Sequence, residues 1–285
     1  MTACGHCDLC HSSTASTIRE PTAIPFHRYE RHRFVNGYES ILNAPATCST
    51  TNIIYALTCP CGKYDYIGES SLNLAQCLRR HRQFGHRFIH EFLIGEKNRQ
   101  RAQGIQQTSE MASKSRMRLY QHSIRCSAAI QLFLDCNPQY WCFVPMLEQT
   151  ARHQDQYTSI NLATNAQRSI EERLTFVPQP PQGYQFSRRQ LAKQYEYFTT
   201  KLDRHAPRPD LNLYQAKIIA LLPLETSELF RQVIHALFVT HTEAKLNTMG
   251  HLFNSNIDTY IHSGIWCENL VRPRRSTTTF APFQV

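Results

Sequence analysis

Cysteine has the most chemistry to offer in this chain of 285 residues, which holds eleven of them, ten before position 143. Cys4, Cys7 and Cys10 form a C-x2-C-x2-C run, Cys48 comes later, and a single residue separates Cys59 from Cys61. The Met1-Thr2-Ala3-Cys4 opening does not read as a signal peptide, and an odd cysteine count in a reducing compartment favours metal ligation over a disulfide framework. Structural zinc takes about four sulfur or nitrogen ligands in a tetrahedron. Cys4, Cys7, Cys10 and Cys48 can close one such site, pinning a polar N-terminus against the first strand. Cys59 and Cys61 make a tighter bite and need two further ligands, with His81, His86, His90 and His122 in reach. The singly standing Cys77, Cys126, Cys136, Cys142 and Cys267 read as buried small apolar residues.

Charge is the second chemical feature. The net charge is +9, and residues 76–125 hold eleven Lys or Arg against three Glu. Such concentration reads as a phosphate-facing stripe, pointing to a nucleic-acid partner; the alternative is a solvated helix face followed by a mobile loop. With 41% hydrophobic and 19% charged residues the composition is ordinarily globular, which excludes wholesale disorder. No apolar run approaches the roughly 18–20 residues of a membrane helix, so no membrane role is expected.

These side chains need elements to position them. Ile53-Ile54-Tyr55-Ala56-Leu57-Thr58-Cys59 is a β-branched and aromatic run, and a Pro60–Lys63 corner leads to Tyr64–Gly68, which predicts a β-hairpin. From Ser71 the pattern turns helical, with Leu74, Cys77, Leu78 and His81 on one face. Residues 94–115 read as a long polar, basic insertion, 116–134 as a helix, and 140–144 as a strand. A helix near 165–175 stops before Pro178-Gln179-Pro180-Pro181. Helices are expected at 187–202 and 225–239, and 211–222 reads as helix or buried strand. The aromatic residues of the tail fit inward packing as well as base stacking.

Asn52-Ile53-Ile54-Tyr55, Cys59-x-Cys61-Gly62 and Tyr66-Ile67-Gly68-Glu69-Ser70, with Leu78 and His81 after them, resemble the core of a GIY-YIG endonuclease. The cysteines between the two motif halves are similar to those of Penelope-like retroelement endonucleases. The match covers residues 48–93 and extends plausibly to 181. The resemblance implies an α+β fold, a small, mainly antiparallel sheet flanked by helices, and metal-dependent hydrolysis of a DNA phosphodiester. Tyr55 would receive the proton of the attacking water, Tyr66 would hydrogen-bond water or phosphate, and Gly68 would allow close backbone approach. The family's arginine falls at position 77, where this chain has Cys77, so Arg80, one helical turn on, is the substitute. Glu171 would hold magnesium, which suits a single carboxylate with phosphate oxygens. The resemblance also favours a zinc site at Cys59 and Cys61 without choosing the remaining ligands.

The expected organisation is a Cys/His-rich segment at 1–47, a nuclease-like domain at 48–181 with its insertion near 94–115, and a helical C-terminal extension at 182–285. The expected function is a DNA endonuclease of retroelement origin, intracellular and nuclear; the alternative is a zinc-stabilised nucleic-acid-binding protein whose catalytic site has decayed.

Overall fold

A computed structural model describes residues 1–7, 9–10, 23–24, 31–103, 108–157, 168–205, 207–208, 211–250 and 264–272. It is an α+β protein of small antiparallel sheets flanked by helices, as expected. A two-stranded ribbon, β1 (Arg31–Arg33) and β2 (Glu39–Ile41), precedes the main hairpin, β3 (Ile53–Thr58) and β4 (Asp65–Ser70). The β3–β4 register pairs Tyr55 with Gly68 and Leu57 with Tyr66.

Helix α1 (Leu74–Ile94) comes at once, and its start is chemically marked. The Asn73 side chain accepts from the Gln76 backbone N–H while the Gln76 side chain accepts from that of Asn73, a reciprocal cap. Leu74, Cys77, Leu78 and His81 are buried together, as their spacing predicts. The helix ends at Gly95, whose φ of 90° is left-handed and where a Cβ would lie 2.0 Å from the Phe176 carbonyl oxygen.

The 94–115 segment, expected as a long polar, basic insertion, carries two short helices, α2 (Glu96–Gln103) and α3 (Ser109–Ser115). Its Gln, Arg and Lys residues are good helix formers, and burial of Asn98 and Arg99 ties α2 down. The single helix expected at 116–134 is two, α4 (Arg118–Ser123) and α5 (Ser127–Cys136), broken at 124–126. Of Tyr140–Val144, expected as a strand, Tyr140–Phe143 lie in a 3-10 turn (Pro138–Phe143) that Pro138 opens, and the extended Val144 follows it. A short, fully buried apolar run carries no period to separate strand from turn.

The short strands β5 (Met146–Leu147) and β6 (Tyr184–Gln185) pair with each other; α6 (Glu148–Gln156) and α7 (Arg168–Thr175) lie between them in sequence. The start expected for α7 at 165 falls outside the described residues. After α8 (Arg188–Thr199), β7 (Gln215–Leu221) enters the main sheet beside β3, resolving the 211–222 segment as a buried strand. Helix α9 (Glu228–His241) closes the order.

The main sheet runs β4-β3-β7, so a strand from the supposed helical extension flanks the motif strand directly. β3 is buried on both faces. Ile53, Tyr55 and Leu57 join the large core that holds Leu74, Leu78 and Phe133, while Ile54 and Ala56 join Ile67, Ile219 and Val239 under α9. Among the described residues no helix is long and apolar enough to cross a membrane.

Candidate functional site

The alternation of β3 puts Tyr55 on the α1 side of the sheet, and the register places Tyr66 diagonally from it on the same face. Both converge on His81. The Tyr55 hydroxyl lies 2.9 Å from His81 Nε2, and the Tyr66 ring centroid is 5.7 Å from the imidazole. His81 Nδ1 meets the Tyr120 hydroxyl at 2.9 Å, which extends the group into α4. A Cβ on Gly68 would lie 2.2 Å from Tyr55 Cζ, so the glycine is required because the tyrosine ring covers it. The pairing of β3 with β7 shifts register between Ile54 and Tyr55, a bulge beside the first tyrosine.

The groups that meet at His81 are neutral near neutrality. Burial, and after it the fields of Tyr66 and Cys77, raises the Tyr55 phenol well above its ordinary range; burial pushes Tyr66 up to about 12. Burial and then the charge of Lys114 bring His81 down to about 3, so it carries no charge near neutrality. Cys77 sits where the resemblance expects an arginine, buried beside Tyr55, and burial raises its thiol. A thiol offers no delocalised cation to a phosphate or a phenolate. Arg80 is exposed one turn further on, and its charge is felt at the Cys77 sulfur.

Glu171 is not brought to this group. It is exposed on α7, whose C-terminal end meets the far end of α1 through Phe176 and Gly95. Cys77 and Gly95 are separated by about 27 Å at ~1.5 Å per helical residue. The neighbouring Glu172 is bidentate to Arg101, at 2.6 and 2.8 Å. Glu69, inside the motif, faces the other side of the sheet, 3.9 Å from Arg231 of α9.

Two clusters have the makings of metal centres. Cys4, Cys7, Cys10 and Cys48 converge as the spacing predicts, with Cys7 and Cys10 sulfurs each 3.2 Å from that of Cys48. Sulfurs bound to one tetrahedral zinc at ~2.3 Å stand about 3.8 Å apart, so the set fits with small adjustment. The Cys4 thiol is lowered to about 6, first by a backbone hydrogen bond from His6 and then by Cys48. Cys48 is fully buried, its carbonyl accepts from Ala75 N–H, and Thr2 N–H donates to the Ala46 carbonyl. The N-terminus is thereby held where β3 and α1 begin.

The second cluster is Cys59, Cys61, His122 and Cys126. Gly62, at φ 68°, turns the chain so that its N–H reaches the Cys59 carbonyl and both hairpin sulfurs face α4. His122 Nε2 lies 3.1 Å from the Cys59 sulfur and 3.6 Å from that of Cys61, and the Cys126 sulfur is 3.6 Å from Cys59. His122 is the histidine selected from the four in reach. His81 and His90 are bonded to tyrosines, His90 to the Tyr140 hydroxyl at 2.6 Å, and His86 packs on Phe133. Cys126, expected as a core thiol, is the fourth member. The i, i+4 spacing of His122 and Cys126 was its only sequence signal, and the helix break between α4 and α5 falls there. Although burial opposes it, contact with Cys126 and Cys61 raises His122 to about 9, and Cys126 is held well below the thiol range, first by Cys59 and then by Cys61. The Cys126 thiolate is thus paired with a protonated His122, while contact with Cys126 and Cys61 raises the Cys59 thiol, so metal binding here would release protons from His122 and Cys59. Both groups could hold a metal such as zinc.

The basic stretch is not uniformly outward. Arg87 and Arg99 both pair with Glu91, a half-buried group in which Arg99 alone is fully covered, and Arg101 is taken by Glu172. Arg79, Arg80, Lys97, Arg116 and Arg125 are exposed. A scan of protein-family models finds no match to this chain, and searches of curated proteins and of solved structures find no similar chain.

Proposed function

We propose that this chain is a zinc-stabilised nucleic-acid-binding domain of GIY-YIG type, with a phosphodiester site kept in outline but lacking its cation. The observation that carries the reading is the convergence of Tyr55, Tyr66 and His81 on one sheet face, with Cys77 occupying the expected arginine position beside Tyr55. A phenol starts near pKa ~10 and needs a close cation to become a base. Here burial raises it further, and among the described residues no charged group stands at its oxygen. The same reading places zinc at the two cysteine clusters, the exposed arginines against phosphate, the protein with DNA in the nucleus, and its origin in a retroelement.

A second reading, an active magnesium-dependent endonuclease, is favoured by Arg80, whose charge reaches the Cys77 thiol from the next turn of α1. Supercoiled plasmid with magnesium separates the two. The first reading expects salt-sensitive binding without nicking by the natural chain, nicking by Cys77→Arg, and its loss in Cys77→Arg/Tyr55→Phe. Nicking by the natural chain that disappears in Tyr55→Phe and in Arg80→Ala would establish the second. Absence of any salt-sensitive DNA binding would refute both.

A further inference from the structure

Helix α9 is packed with its polarity reversed. Arg231 and His235 turn inward, Arg231 standing 3.9 Å from Glu69 and His235 Nε2 reaching the Ile67 carbonyl at 3.1 Å. Ile234, Phe238 and Val239 join the second core on that side. Leu229, Phe230, Val233 and Leu237 point the other way and stay 72, 48, 45 and 37% exposed. At 3.6 residues per turn these four fall within an arc of about 100°, the width of an ordinary core-facing stripe. Leu224, 84% exposed, precedes the first turn, and Tyr38, stacked on His241, extends the row at the last. A contiguous apolar row of this length on a protein surface marks an interaction site. A helix apolar on both sides is one that is covered on both sides.

We propose that this face pairs with the same face of a second copy of the chain, the two α9 helices antiparallel about a twofold axis at Val233. Such an interface must be self-complementary, residue i meeting j and j meeting i. The row meets that condition. Leu229, Val233 and Leu237 form one ridge at i, i+4 and i+8, the kind that nests into the groove beside its own copy. About Val233, Leu229 of one copy meets Leu237 of the other, and the bulky Phe230 meets the small Ala236. Charge chooses the direction. Glu225 and Glu228 lie at one end of the row and His241 at the other, all exposed. Antiparallel helices therefore bring each carboxylate end to an imidazole, whereas parallel ones bring acid to acid. Glu243 and Lys245, past the helix end, line the cleft beside Tyr64 and Asp65 and offset each other. The two glutamates also turn nucleic acid away from this face. The exposed Arg79 and Arg80 belong to α1, across the sheet, so pairing leaves them open in both copies.

Sedimentation equilibrium of the zinc-loaded full chain across a dilution series tests it. One helix face is small for an interface, so a dimer that dissociates on dilution is expected. Val233→Glu sets two carboxylates against each other on the axis and should leave only monomer. Its urea midpoint, compared at a dilution where the natural chain is also monomeric, should be unchanged because the position is exposed. His241→Glu should weaken the dimer several-fold, and Glu225→Lys added to it should restore the natural affinity. Monomer throughout the natural series, meaning a Kd weaker than about 1 mM, overturns the proposal. So does undiminished pairing in Val233→Glu, which would put the contact elsewhere, or association that grows past two chains. A lowered midpoint in monomeric Val233→Glu overturns it too, because a segment of the same chain would then cover the face. Failure of Glu225→Lys to rescue His241→Glu also overturns it, because the helices would not be antiparallel.

Discussion

Gly68 and Tyr55 are opposite each other across β3 and β4, and the tyrosine ring occupies the space that any side chain at 68 would need. In a two-stranded ribbon a glycine would weaken the ladder for want of a side chain; here the aromatic ring fills that place. The pair is one unit, and it should respond to substitution as one. Gly68→Ala forces the ring or the strand to move, and overpacking of this kind costs about 1–3 kcal/mol. A urea titration should show a lowered midpoint for Gly68→Ala, and a much smaller further loss when alanine is introduced into Tyr55→Ala, where the ring is gone. Equal losses in the two backgrounds would mean that the ring is not what excludes the side chain. The sequence marked Gly68 for close backbone approach; what approaches it is the Tyr55 ring, so that each residue is the other's packing constraint at fixed register.

At the scale of elements, the hairpin and α4–α5 are joined through Cys59, Cys61, His122 and Cys126, side chains from the β3–β4 turn, from α4 and from the break before α5. A metal there closes a loop of more than sixty residues, and the third and fourth ligands come from the helical side. Purified chain is expected to carry two zinc ions, one for each group of four. Elemental analysis should find one fewer in Cys126→Ser and no change in Cys142→Ser, whose thiol donates to the Gln139 carbonyl instead. Undiminished zinc in Cys126→Ser would remove it from the set. Much of this level was legible beforehand. The N-terminal cysteines, the hairpin and the α1 face announced themselves by short spacing or by period. Cys126 did not, because a single cysteine after a helix break looks like any small core residue until the chain folds it back. The 3-10 turn at 138–143 was missed for a related reason: Tyr140, Trp141, Cys142 and Phe143 are all buried, so no polar residue interrupts the run to reveal its geometry. The sites that spacing found share local sequence; the members it missed are brought in by tertiary contact.

For the whole molecule, the tail beyond 181 decides whether the motif hairpin can stand alone. The resemblance ended there, and helical patterning made the remainder look like an extension. Yet β7 pairs with β3 along its length, so that Ile218 backs Tyr55, and α9 covers the opposite face through Ile219 and Val239. The other edge of the sheet is sealed by the tail as well. Asn247 accepts from Ile67 N–H at 2.8 Å and donates to the Ile67 carbonyl at 2.7 Å, a side chain standing in for a missing strand. Without residues 182–285, β3 would present an unpaired backbone edge, and Ile54, Ala56 and Ile67 would lose their cover. An isolated two-stranded hairpin is marginal in water even with one helix against it. A chain ending at 181 is therefore expected to lose cooperative unfolding, seen as a broad, shallow urea transition and poorly dispersed amide spectra with zinc present. A sharp transition at a midpoint close to that of the full chain would show that the motif hairpin, α1 and the zinc clusters suffice, and that the tail is an addition to a core already complete.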